Sequence, residues 1–254
     1  MTKMKFLGIN GFEFTYKEKT MLLDPYISRV SNDSISVSRP NIVQKHIKNC
    51  DYTVIGHSHY DHAGDLEEIN RVTSPIFVGS ETTMNMCRYF NTPESRLVQF
   101  ENCKPITLGP FKVTPIPSLH KQPMATPGEY ISIPDSLASR SDFPEGGTWA
   151  LKIEIGELVI LNLGSANLIE DELKGMECDY LLVGIAGRDK SFCNKLLKSV
   201  KAKNLIPCHW DNFKGHPLEE PEERISVSSF VCEIKQIRPD QNIIIMNPLD
   251  ELNL

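Results

Sequence analysis

Short alternating or apolar runs open the chain. Lys5-Phe6-Leu7-Gly8, Phe12-Glu13-Phe14-Thr15-Tyr16 and Thr20-Met21-Leu22-Leu23-Asp24 are separated by Asn-Gly and Lys-Glu-Lys turn chemistry, which predicts an antiparallel meander. After the polar stretch PYISRVSNDSISVSRP, Pro40 marks the start of a helix over 41–48. An apolar strand at 52–55, a helix over 65–72 and a strand at 76–78 follow, and Ser80 is placed to cap a helix running to Tyr89. The second half repeats the plan, with strands near 112–117, 148–155, 157–163, 180–185 and 204–207, helices near 168–174, 191–199 and 219–231, and a closing strand at 243–245. Runs of strands followed by strand–helix alternation, twice over, predict an α/β protein. Its two mixed sheets would lie face to face between helices, a four-layer αββα sandwich formed by residues 1–254 as a single domain.

Residues 121–147 depart from this pattern. They hold four prolines and three glycines with little periodicity, far beyond the roughly 4–6 residues of an ordinary connection. Such a loop is either a cover over a site or a surface excursion.

Composition narrows the function classes. The formal net charge of −6 gives no basic stripe of the kind that nucleic-acid backbone requires, so a nucleic-acid partner is not expected. No run approaches the ~20 apolar residues of a membrane span, and MTKMKFLGING lacks the apolar region of a secretory leader, so a cytoplasmic protein is expected. Seven cysteines, an odd number without a CxxC pair, predict reduced and mostly buried thiols rather than a disulfide framework. A homo-oligomer is allowed for but not specified.

The chemistry concentrates in HSHYDHAGD, residues 57–65, where three of the seven histidines stand with an aspartate. In an extended backbone His57 and His59 point the same way and can face one cation. Asp61 and His62, where the chain turns into a helix, are better placed for a second ion. Imidazole and carboxylate suit Zn²⁺, or Mn²⁺ and Fe²⁺. His120 and His209 each follow a predicted strand, the position from which α/β sites are usually built.

HSHYDHAGD resembles the HxHxDH signature of the metallo-β-lactamase superfamily. TMLLDPYIS resembles its early aspartate motif, and PSLH and LIPCHWDNF its later single-histidine motifs. Among the branches, the chain is most similar to the one containing ascorbate-6-phosphate lactonase and the N-acyl-phosphatidylethanolamine phospholipase D type enzymes. The resemblance implies one metal held by His57, His59 and His120, a second held by Asp61, His62 and His209, and Asp24 orienting a ligand imidazole from behind. His59 stands where members with di-iron oxygen chemistry usually carry Glu, which favours hydrolysis over redox. Ser165 stands where members usually carry an aspartate bridging both metals. Its neutrality implies either a weak second ion or a more electropositive pair, and the latter favours an anionic substrate.

The implied activity is metal-dependent hydrolysis, with zinc as one or two ions, of a small or lipid-like anionic ester, lactone or phosphodiester. Asp61 would orient the attacking water or take its proton. A nuclease of the same fold is one rival, and a non-catalytic metal-binding protein, suggested by Ser165, is another. Lys121, Tyr130, Arg140, Arg188 and His216 are candidate substrate contacts. Asn167 reads as structural, and Cys208 as a buried thiol facing away from His209.

Overall fold

The computed structural model describes residues 1–34 and 36–254. The chain builds one sheet, then a second, and returns to the first with its last strand. The meander forms as β1 (Lys3–Gly8), β2 (Gly11–Tyr16) and β3 (Lys19–Leu23), antiparallel throughout. Helix α1 (Pro40–His46) leads to β4 (Tyr52–Val54), α2 (Tyr60–Ala63), α3 (Leu66–Thr73), β5 (Ile76–Gly79), α4 (Glu81–Tyr89) and β6 (Leu97–Gln99), the three strands being added in parallel to β3. The second sheet comprises β7 (Ile106–Leu108), β8 (Phe111–Pro117), β9 (Trp149–Ile155), β10 (Leu158–Leu163), β11 (Met176–Gly184), β12 (Val200–Cys208) and β13 (Asn242–Ile243). Helices α5 (Glu170–Leu173), α6 (Phe192–Ser199) and α7 (Val227–Ile237) fall between its later strands, and β14 (Glu251–Asn253) then pairs with β1.

Period-two patterning sorts the side chains into layers. On β3, Met21 and Leu23 face the second sheet and join Val113, Leu151 and Ile153 in the central core. Leu22, one residue out of phase, packs with Val43, Leu66, Ile69 and Met84 of the outer helices. Leu196 of α6 and Phe230 and Ile234 of α7 complete the core on the other side. Two mixed sheets flanked by helices are therefore present, as the patterning predicts.

Two features differ from the sequence expectation. The last helix, predicted over 219–231, runs over Val227–Ile237. Before it, the N–H groups of Arg224 and Ile225 donate to Trp210 O, and Asp211 bridges to Glu223. That backbone is committed to pairing with the exit of β12, so the helix begins only where Ser226 caps it through Ser229 N. The other difference lies at the sheet edges: β6, β7 and β14 are unpredicted three-residue strands, and β13 covers only Asn242–Ile243. Such short strands carry almost no periodicity, and they leave little unpaired edge for another chain to extend.

The 121–147 loop is a pinned strap. Glu145 N donates to Thr126 O and Gly146 N to Gly128 O, both at 2.9 Å, and Ser58 N donates to Glu145 O at 2.8 Å. Leu137 and Phe143 bury into the outer core. Among the described residues no helix is long and apolar enough to cross a membrane.

Candidate metal centre

The residues of interest leave their strands at one edge of the sandwich. Asp24 directly follows β3, His57 to His62 follow β4, His120 follows β8, Ser165 follows β10 and His209 follows β12. His57 and His59 do not lie on an extended strand, because β4 ends at Val54 and the backbone bends before α2. Their rings meet edge-on at 86° with centroids 5.0 Å apart, so they converge on a point rather than stand parallel. Gly64 makes the single turn of α2 feasible: a Cβ there would lie 2.5 Å from Tyr60 O and 2.9 Å from the Tyr26 ring.

Two triads result. The ligand-capable atoms of His57, His59 and His120 lie within 4.8 Å of one another, as do those of Asp61, His62 and His209. The His57 and His62 rings join the groups, with centroids 3.8 Å apart. These are the same two groupings that the resemblance implies.

Hydrogen bonds aim the rings. His59 Nε2 lies 3.0 Å from Thr126 O, and His120 Nδ1 lies 2.9 Å from Lys121 O. A carbonyl only accepts, so the facing nitrogen carries the proton, leaving His59 Nδ1 and His120 Nε2 with free lone pairs. Nδ1 of His57, Nδ1 of His209 and both ring nitrogens of His62 are buried without a hydrogen-bond partner. Unsatisfied buried nitrogens ordinarily cost about 1–3 kcal/mol each. Their concentration here, with a carboxylate among them, fits the donor set of a transition-metal ion.

The protonation states of the first triad agree with that fit, whereas at His62 burial is outweighed by the carboxylates of Asp24 and Asp61, which raise it. Burial, reinforced by the neighbouring imidazoles, holds His57 well below the ordinary histidine range. Burial also lowers His59 and pushes His120 down to about 4. All three rings are therefore neutral near pH 7, as ligation requires. Burial would raise the Asp61 carboxyl, but the hydrogen bond from His209 and the charge of His62 outweigh it and hold it low. Asp61 Oδ2 lies 3.2 Å from His209 Nε2.

Asp24 is fully buried behind His62. Its Oδ1 accepts from Gly56 N at 2.7 Å, and its Oδ2 accepts from Asn10 Nδ2 at 2.7 Å. Oδ2 also lies 2.9 Å from His62 Nδ1, a charge contact without the alignment of a hydrogen bond. Asp24 (φ 41°) and His209 (φ 57°) adopt the left-handed backbone region that non-glycine residues avoid, strain of about 1–3 kcal/mol each that concentrates at functional positions. His209 N donates to Ile9 O. Ile9 N in turn donates to Asp211 Oδ1 at 2.9 Å, and Asp211 pairs with fully buried Arg29 at 2.6 Å.

Ser165 lies beside the triads, where its hydroxyl accepts from Lys121 N at 3.0 Å. Asn167 Nδ2 donates to His120 O at 3.2 Å. Together they clamp the backbone on both sides of the His120–Lys121 peptide. The triads open onto a cleft of about 370 Å³, lined in part by Lys121, Ala125 and Thr126 of the strap.

Of the candidate substrate contacts, Lys121 alone lines this cleft. Tyr130 donates to Asp142 O, Arg140 stacks on Tyr60 and donates to Val30 O, Arg188 pairs with Glu233, and His216 pairs with Glu222. Sequence reasoning did not single out Asn10, Thr126, Phe213, Lys214 or Arg224, and it read Asn167 as structural only. Phe213 and Lys214, four and five residues past His209, were within reach of an argument from proximity. Thr126 was not, because it acts through its carbonyl.

The profile of the Beta-lactamase superfamily domain matches residues 19–210. A UPF0173 metal-dependent hydrolase from Pyrococcus horikoshii is 23% identical over 265 residues, spanning 100% of both chains. One from Metallosphaera sedula is 24% identical over 233 residues, covering 86% of this chain and 90% of its own. Among solved structures, Igni18, a metallo hydrolase from Ignicoccus hospitalis, superposes with a TM-score of 0.64 at 16% identity, over 99% of this chain and 97% of its own. That likeness concerns the fold. With the profile matched across most of its length, the chain belongs to the metallo-β-lactamase superfamily of metal-dependent hydrolases.

Proposed function

We propose that this enzyme is a cytoplasmic, zinc-dependent hydrolase of a small or lipid-like ester, lactone or phosphodiester, acting through all six triad residues. The ligand set suits Mn²⁺ and Fe²⁺ as well. The observation that carries the reading is the pair of triads, His57–His59–His120 and Asp61–His62–His209, of which His59, Asp61, His120 and His209 line one cleft with His57 and His62 buried. The substrate classes follow from the lactonase and phospholipase D-like branch that the motifs resemble.

When bound, the metal supplies a water of lowered pKa and polarises the scissile carbonyl or phosphoryl oxygen. The chain supplies orientation. Thr126 O and Lys121 O fix the His59 and His120 tautomers, Asp24 stands behind His62, and Asn167 and Ser165 hold the His120 turn. Asp61, half-buried and held ionised, both lines the cleft and contacts His209, so it can orient a water or accept its proton.

The test is turnover of chromogenic esters, lactones and phosphodiesters by chelator-treated protein before and after adding Zn²⁺, Mn²⁺ or Fe²⁺. Activity in at least one class, lost on chelation and restored by metal, is expected. Turnover indifferent to chelation, or none across the panel after reconstitution, overturns the reading.

A further inference from the structure

The cleft has a charge pattern that hydrolysis alone does not require. Three cations line it from two parts of the chain: Lys121 after β8, and Lys214 and Arg224 in the connection between β12 and α7. Among the described residues none of the three makes an ion pair, and Asp61 is the one carboxylate in the lining. Nearby acids are engaged elsewhere. Glu222 is taken by His216 at 2.8 Å and Asn212 at 2.6 Å, Glu223 accepts from Val227 N at 2.6 Å, and Asp211 is held by Arg29. Glu222 and Glu223 immediately precede Arg224 in sequence, yet neither forms an ion pair with it. The three cations are left facing the cavity.

Packing sets each of them in place. The Lys121 stem lies over Gly187, where a Cβ would come within 2.8 Å of Lys121 Cδ, and Gly187 has φ +76°. The Arg224 guanidinium sits 5.8 Å from the centroid of the Phe213 ring. Lys214 rides on a turn anchored from below by Arg29, which donates to Asn212 O at 2.7 Å and His216 O at 2.6 Å and accepts from Gly215 N at 3.0 Å. Phe213 and Ile225 add an apolar wall beside these charges.

We propose that Lys121, Lys214 and Arg224 form an anion-recognition rim. It selects substrates carrying an oxyanion, carboxylate or phosphoryl, separate from the bond that is cleaved and joined to an apolar portion that lies on Phe213 and Ile225. Binding energy from this remote group positions the reacting bond over the triads. The proposal rests on the hydrolase reading for turnover but not for binding, so the two can fail separately.

The test uses the metal-loaded enzyme and the Lys121→Gln/Lys214→Gln/Arg224→Gln variant, with Lys214→Gln alone as a milder change and metal content checked in each. Calorimetric titration with phenylphosphonate and with phenylacetate reads binding, and the tighter of the two names the headgroup. The ratio of kcat/KM for mono-4-nitrophenyl succinate to that for 4-nitrophenyl butyrate reads selectivity. We expect the triple variant to bind the preferred anion at least about tenfold more weakly and to lose the preference for the charged ester mainly through KM. Anion binding that is absent from the parent enzyme, or unchanged in the triple variant at equal metal content, overturns the rim. Selective anion binding without ester turnover sustains the rim and counts against the hydrolase reading alone.

Discussion

The carboxylate of Asp24 lies 2.9 Å from Nδ1 of His62, and both side chains are buried. Asp24 directly follows β3 and His62 lies within α2, so the contact ties the exit of the meander to the metal-facing segment. Its other partners, Gly56 N and Asn10 Nδ2, hold the carboxylate from two sides.

Asp24→Asn keeps the shape but removes the charge behind His62. Loss of such a partner ordinarily weakens metal binding by about 10–100-fold. A competition titration with a chromogenic chelator should show that loss in the Asp61–His62–His209 site, with little change in the circular dichroism spectrum. Unaltered affinity would mean that Asp24 serves the fold alone.

Ser165→Ala removes the acceptor for Lys121 N. A donor left unsatisfied costs about 1–3 kcal/mol, so the denaturation midpoint should fall accordingly. Because the affected peptide follows His120, metal affinity should fall too. A variant as stable as the parent and equally tight for metal contradicts the clamp.

Acid should destabilise the chelator-treated protein. Burial depresses His57 and His59, and it brings His120 to about 4, whereas these rings titrate near ~6.5 in an unfolded chain. Between those values the unfolded state binds more protons, so their contribution, complete above the unfolded value, is lost as pH falls. His62 runs the other way. Burial lowers it, but Asp24 and Asp61 together outweigh burial and raise it, so its contribution is complete below the unfolded value and is lost as pH rises through the folded one. With three rings against one, the melting temperature should drop from pH 7 to 4. A flat or rising profile would contradict these assignments.

Arg29→Met leaves Asp211 charged and unpaired in the interior, where loss of one member of a buried pair costs about 3–5 kcal/mol. Urea titration measures the loss. It should exceed that of Lys3→Met, whose pair with Glu251 is half-exposed on both sides.

Much of the fold was legible because its inner strands are long enough to show period two, as in Phe12-Glu13-Phe14 and Trp149–Ile155. The edge strands β6, β7 and β14 were not, since three residues leave no pattern, and the closing strand expected at 243–245 is met only at Ile243 of β13. The onset of α7 was misplaced because non-local bonds to Trp210 O, invisible in sequence, hold residues 224 and 225 out of the helix. At the site, the side chains able to bind metal were legible as residue types after strands. The groups that aim them, Thr126 O and Lys121 O, are backbone atoms whose identity no residue name reveals. Lys214 and Arg224 look like ordinary surface charges until the fold brings them to one cleft.

Anomalous diffraction from crystals grown with Zn²⁺, recorded on both sides of the zinc absorption edge, locates bound ions most directly. A strong edge-dependent peak among His57, His59 and His120 is predicted, with a second among Asp61, His62 and His209. Fully formed triads with no anomalous peak at either, in zinc-replete crystals, would contradict the metal centre on which the hydrolase reading depends.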